Sequence, residues 1–151
     1  MLYSRSAQYA IRAMAHLATL PPAMYQPVRD VALKTRVPEQ FLAKIMQMLA
    51  RRRLVRSQKG RGGGVALALP PQRITVDDIV HAVDGEDPGK ECLLGLTHCS
   101  DAAPCIVHEV WKSLRVELDR TLHARTLAEV VEQSPRRRAR KRRSSSSRSG
   151  G

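Results

Sequence analysis

Aromatic side chains are scarce: one Trp, one Phe and three Tyr make up 3% of the 151 residues. Ring packing therefore cannot build the interior, and a 42% hydrophobic content must act through Leu, Val, Ile, Ala and Met. That composition points to one small helix-rich domain. No stretch is apolar over the roughly 18 residues that a membrane span needs. Met1 to Arg5 run directly into an amphipathic pattern with no signal-peptide core. The expectation is a cytoplasmic protein with no membrane partner. Acidic residues are missing from Pro135 to Gly151, which carry seven Arg and one Lys; without that segment the net charge of +12 falls to +4. The body is only mildly basic. A fourth cysteine is missing as well. Cys92, Cys99 and Cys105 lie within 14 residues, and an odd number in a reducing compartment argues against a disulfide framework and for metal or redox chemistry. The chain also lacks a recognisable acid-base pair of carboxylates and any nucleophile signature, so neither an enzyme nor a small-molecule substrate is expected.

Ala7, Ala10, Ile11, Met14, Leu17 and Ala18 recur at helical spacing until Pro21 and Pro22 stop the pattern. Val28 to Lys34 form a second, short helix, Thr35 to Val37 a turn, and Pro38 to Arg52 a longer helix. Phe41, Leu42, Ile45, Met46 and Leu49 are assigned to its apolar face, with Pro38 in the first turn, where a missing N–H is harmless. Two helices joined by a three-residue turn outline a helix-turn-helix.

Leu54 to Ser57 and Val65 to Leu69 then flank Gln58-Lys59-Gly60-Arg61-Gly62-Gly63-Gly64, two short strands around a glycine-rich tip. A phosphate-cradling loop would need a helix directly after the glycines, but here the segment ends at Pro70 and Pro71, and no Gly-Lys-Ser/Thr follows. A β-hairpin wing is the better reading. Beside a helix-turn-helix, such a wing lets backbone and basic side chains approach phosphates or the minor groove while the recognition helix enters the major groove. Glu39, Gln40, Ala43 and Lys44 lie away from the apolar stripe and are the groove-facing candidates; Lys59, Arg61 and Gly62 are the wing candidates. The alternative for Gln40 and Lys44 is a merely solvated helix face.

Thr75 to Asp84 form a further helix, with Thr75 as cap, Asp77 and Asp78 in the first turn and Gly85 at its end. Gly85, Pro88, Gly89 and Gly95 mark a loop running to about Pro104, and the cysteines lie in it or at its end. From Cys105 a long helix carries Val107, Trp111, Leu114, Leu118 and Leu122 at steps of four, three, four and four, a narrow heptad-like seam. A protein that reads a half-site and owns such a seam is expected to pair with its own copy, although packing on its own domain is the alternative. The resulting division is 1–84 for the DNA-binding unit, 85–104 for the cysteine loop, 105–133 for the dimerisation and C-terminal helices and 134–151 for a disordered basic tail. The tail can neutralise phosphates without reading sequence, or have no role.

The order of these parts resembles the Rrf-type winged-helix regulators, among them IscR-like and NsrR-like members. The matching pieces are Tyr9-Ala10-Ile11, Val37 to Leu42, Gly60 to Gly64, Ala82-Val83-Asp84, the three cysteines and Cys105 to Trp111, over residues 1 to about 133. The resemblance implies a mainly α fold with a small β-hairpin: a winged helix-turn-helix plus a long dimerisation helix. It also implies a homodimer on a double-stranded DNA operator and, in cluster-bearing members, three cysteine ligands.

Thiolates are the usual protein ligands of iron-sulfur clusters, so the chemistry agrees, and a fourth ligand must come from elsewhere. His108, one helical turn beyond Cys105 as in the IscR-like arrangement, is the first choice and His98 the second. The NsrR-like arrangement draws an acid from the first helix, where this chain has Gln8. Cys-x6-Cys-x5-Cys leaves 2Fe-2S and 4Fe-4S open, and a zinc site of three Cys and one His is chemically possible. Ala43 replaces an acidic residue of IscR, so operator preference does not transfer. The expected function is a transcription regulator, acting as a repressor, whose DNA affinity follows a cluster sensing nitric oxide, redox state or iron and cluster status. The alternatives are a cluster-free or zinc-bound regulator working by thiol oxidation, and an iron-sulfur carrier or electron-transfer protein. The latter leaves the helix-turn-helix and wing unexplained.

Overall fold

A computed structural model describes residues 3–85 and 91–134; Pro88, Gly89 and the basic segment from Pro135 onward lie outside the described residues. Helix α1 (Arg5–Leu17) starts at Ser4, whose hydroxyl accepts from the Ala7 amide, and buries Ala7, Ala10, Ala13, Met14 and Leu17 on one face. Small side chains on that face let other helices approach closely, and burying Met14 and Leu17 stabilises the domain by about 1.5–3 kcal/mol each.

Helix α2 (Val28–Thr35) ends at Arg36, which adopts a left-handed conformation with φ of +56°. The Arg12 guanidinium of α1 donates to the Thr35 carbonyl and, at 3.5 Å, to that of Arg36, satisfying two carbonyls that the helix end leaves open. The chain then turns through buried Val37 into α3 (Glu39–Arg51), for which Pro38 is the cap rather than the first helical residue. Leu42, Ile45, Met46 and Leu49 of α3 are buried. Phe41, expected on that face, is 56% exposed: it sits one residue from Leu42, about 100° around the helix, and so falls outside the core stripe.

Strands β1 (Val55–Gln58) and β2 (Gly64–Leu67) pair antiparallel, Val55 opposite Leu67 and Gln58 opposite Gly64. A third segment joins them. The Gln26 and Val65 amides each donate to the other's carbonyl, at 3.0 and 2.8 Å, tying the linker before α2 to the wing. A short 3-10 turn (Pro71–Arg73) leads into α4 (Val76–Asp84), capped reciprocally by Thr75 and Asp78 and ended at Gly85.

The long helix α5 (His108–Ala124) begins three residues later than expected, because Cys105 belongs to the turn before it, where its carbonyl accepts from the His108 amide. Helix α5 lies against α4. The contact includes Asp77, a carboxylate only 5% exposed, whose Oδ2 is 3.4 Å from His81 and 3.1 Å from His123. Helix α6 (Leu127–Glu132) returns to the winged-helix core: Leu127 is fully buried, its amide donates to the Ile74 carbonyl at 2.7 Å, and Thr126 faces Thr75 in a β-bridge. One hydrophobic cluster thus links α1, α2, α3, the wing, α4 and α6. No described helix is long and apolar enough to cross a membrane.

Candidate nucleic-acid interface and cysteine centre

At the start of α3, Glu39, Gln40 and Lys44 are exposed and Ala43 is half-buried. Pro38, Glu39, Gln40, Phe41 and Ala43 line a shallow open depression. Lys59, Arg61 and Gly62 are all exposed at the wing tip. The wing's shape is enforced by close approach: a Cβ on Gly63 would stand 2.2 Å from the Gln58 carbonyl oxygen, and one on Gly64 2.2 Å from that of Gln26. Two sets of solvent-facing polar and basic residues, one on a helix and one on a hairpin, are thereby carried by a single packed core.

The other site lies before α5. The sulfur atoms of Cys92, Cys99 and Cys105 all fall within 4.8 Å of one another, and those of Cys92 and Cys105 are 3.7 Å apart. The Trp111 indole on α5 donates to the Glu91 carbonyl at 3.0 Å, fastening the chain next to Cys92 onto the helix. His108, the first residue of α5, places Nδ1 3.1 Å from Cys99 Sγ and Nε2 2.9 Å from Asp101 Oδ1. The same carboxylate oxygen accepts from Lys112 Nζ at 2.7 Å. His98, the other histidine considered, is exposed.

Local electrostatics sort the thiols. Hydrogen bonds from the Leu96 amide first, then the Leu94 amide and the Cys105 and Cys99 thiols, outweigh the loss of solvent and hold Cys92 down to about 7, so a thiolate is accessible at neutral pH. The Cys105 amide pulls Cys99 down, but burial and the neighbouring Cys105 and Cys92 side chains win and push it up. Lys112 first, and His108 second, hold Asp101 down to about 2, so this carboxylate is ionised at neutral pH.

The structure brings the three cysteines together and sets His108 beside Cys99, the four residues that sequence reasoning singles out. That reasoning missed Asp101 and Lys112, whose relation to His108 depends on how the Ser100 to Ala103 turn folds back on α5.

Comparison with known proteins places this architecture. A family model described as Rrf2, iron-dependent transcriptional regulator, matches residues 3–133. The chain belongs to the Rrf2 family. It is therefore a transcriptional regulator of the winged-helix type rather than an enzyme. It is 34% identical over 133 residues to an HTH-type transcriptional regulator of Aquifex aeolicus, covering 87% of this chain and 92% of that one. It is 28% identical over 131 residues to IscR of Escherichia coli, covering 87% and 80%. Among solved structures, CymR of B. subtilis, described as its global cysteine regulator, superposes with a TM-score of 0.73 at 23% identity, covering 89% of this chain and 98% of that one. IscR of T. potens gives a TM-score of 0.68 at 23% identity, covering 87% of each. These likenesses fix the fold as that of winged-helix Rrf2 regulators, mainly helical with a two-stranded hairpin.

Proposed function

We propose that this Rrf2 regulator is a cytoplasmic homodimeric repressor whose hold on a double-stranded operator is set by an iron-sulfur cluster on Cys92, Cys99 and Cys105, with His108 as fourth ligand. The observation that carries the reading is the convergence of three sulfurs within 4.8 Å in a segment fastened to α5. The iron-dependent description of the family and the likeness to IscR support iron as the metal.

The donor set fits such a group. Two sulfurs bound to one tetrahedral ion at ~2.3 Å stand about 3.8 Å apart, close to the Cys92–Cys105 separation. Cys99 and His108 form a second adjacent pair, so two centres could each receive two ligands. When bound, the cluster supplies a redox-active centre that oxidants, nitric oxide or iron shortage can remove. The protein's own residues convert that event into a change at DNA. Cys105 and His108 sit at the start of α5, α5 packs on α4, and α4 packs on α1 and α3. A change in the cysteine loop therefore reaches the helix that carries Gln40 and Lys44 through contiguous packed elements.

On DNA, Glu39, Gln40, Ala43 and Lys44 face the major groove, while Lys59, Arg61 and the Gly62 backbone meet phosphates or the minor groove. The partner on α5 is a second copy. Trp111 and Leu122 of the heptad-like seam pack within the protomer, which leaves Leu114 of the seam, Val110 one turn before it, and Ile106 just ahead of α5, 94% exposed, as the apolar surface open to a second copy.

A second reading draws on the same 3.7 Å spacing, which suits a single zinc ion, or oxidation of Cys92 and Cys105 to a disulfide in a cluster-free regulator. Anaerobic purification with iron, sulfide and zinc assays and visible absorption, on wild type and Cys99→Ala, separates these readings. Bound iron with sulfide and absorbance above about 400 nm, lost in the variant, is expected for a cluster. Zinc without sulfide, or no metal, contradicts it.

A further inference from the structure

Asp101 touches no cysteine in the hydrogen-bond network, yet its position decides what His108 can do. The Ser100 and Ala103 amides each donate to the other's carbonyl, at 3.3 and 3.0 Å, closing a tight turn that carries Asp101 over the start of α5. There Asp101 Oδ1 meets two groups on one helix face, His108 Nε2 at 2.9 Å and Lys112 Nζ at 2.7 Å. His108 and Lys112 are four residues apart, one above the other on α5.

An ionised carboxylate only accepts hydrogen bonds. The imidazole nitrogen facing Asp101 must therefore carry the hydrogen. In a neutral ring the other nitrogen is then a lone pair, and that atom, Nδ1, is the one lying 3.1 Å from Cys99 Sγ. Before metal enters, the Cys99 thiol donates to Nδ1; afterwards the same lone pair is available to a metal. Lys112 gives Asp101 a second anchor, at 2.7 Å, and so holds the carboxylate at His108.

We propose that Asp101, anchored by Lys112, is a positioning residue that fixes His108 as the Nε2–H tautomer and so makes Nδ1 the atom offered beside Cys99 to the cluster. This rests on the proposed cluster reading for the ligand role, but the tautomer is a property of the chain itself. The arrangement is the carboxylate–histidine pairing that orients histidine ligands in metal proteins, where loss of the carboxylate weakens metal binding by about 10–100-fold. Because the Asp101 and Lys112 side chains are more than half exposed, their ion pair contributes little to folding, and its removal is read at the metal centre rather than in stability.

The test uses the full chain with histidine labelled by 15N. Under reducing, metal-free conditions, long-range proton–nitrogen correlation of the His108 ring is expected to show hydrogen on Nε2. In Asp101→Ala the ring becomes a mixture of tautomers, and in Asp101→Asn, whose amide oxygen still accepts, the Nε2–H form returns. Hydrogen on Nδ1 in the wild type overturns the proposal whether or not any metal binds. After anaerobic loading with iron and sulfide and reduction, pulsed electron paramagnetic resonance on protein labelled only at Nδ1 is expected to show nitrogen coupling to the cluster. Asp101→Ala is expected to bind iron about 10–100-fold more weakly while keeping wild-type circular dichroism. Coupling from Nε2 instead, or a loaded cluster with no histidine coupling, overturns the ligand assignment. Failure of the wild type to bind iron and sulfide at all removes the cluster reading, and the metal-free spectrum still decides the tautomer.

Discussion

Gly64 sits where any Cβ would come within 2.2 Å of the Gln26 carbonyl oxygen, at a φ of +134° that side chains rarely adopt. The linker before α2 and the wing can pair only because nothing projects there. Gly64→Ala is therefore expected to destabilise the domain by about 2–3 kcal/mol in urea unfolding, with most of the loss in the Gln26–Val65 bridge. Arg61, three residues earlier and exposed, should behave in the opposite way. Arg61→Ala is expected to leave unfolding unchanged, lower affinity for all duplexes alike and reduce the salt slope of binding by about one. Single residues also show where sequence reasoning stops. The glycines were legible as a wing tip, but which of them are forced by a neighbour depends on Gln26, far away in the chain. Phe41 shares the helical face assigned to Leu42, Ile45, Met46 and Leu49, and only the geometry of α3 shows that its side chain lies beyond the buried stripe.

The α-helices were legible as elements because their apolar periods are strong and their ends carry caps or breakers. Thr75 was read as a cap, and it forms a reciprocal box with Asp78. Helix α6, expected only as a C-terminal helix somewhere within 105–133, is six residues long, and Thr126 with Glu129 repeats the same box there. Thr126→Ala is expected to cost about 1 kcal/mol of global stability, since α6 places Leu127 in the main core. The Thr126 amide first, and Arg125 and the Thr126 hydroxyl after it, hold the Glu129 carboxyl below its ordinary 4.5. A depressed carboxylate stabilises the fold above its unfolded value and loses that contribution as pH falls through its folded value. The stability difference between wild type and Glu129→Gln is thus expected at neutral pH and to fade below about pH 4, measured by thermal unfolding across pH. For α5 the seam was legible but what covers it was not: Trp111 is buried within the protomer and Leu122 packs on the Ala7, Val76 and Val80 cluster, so part of the seam serves its own domain. Leu114 is 56% exposed in the protomer. Leu114→Glu is expected to leave the protomer folded and shift sedimentation from dimer to monomer, with loss of operator binding.

At the scale of the whole molecule, the cysteine centre and the helix-turn-helix share one framework. The cysteine loop is fastened to α5 through Trp111, α5 meets α4 at the buried Asp77 with its two histidines, and α4 touches the recognition helix α3. The three cysteines could be read from their spacing, whereas this route could not, since every link in it joins residues far apart in sequence. Coupling free energies between distinct sites are typically about 1–3 kcal/mol, or about 5–150-fold in affinity. The direct measurement is an anaerobic titration, at fixed salt, of a duplex selected from a random pool. Cluster-loaded protein, the same preparation stripped of iron, and Cys99→Ala are compared on that duplex. The expected result is that loaded and stripped proteins differ in affinity by about 5–150-fold, with Cys99→Ala matching the stripped form. Equal affinity of the loaded and stripped proteins would contradict the claim that the cysteine centre controls DNA binding.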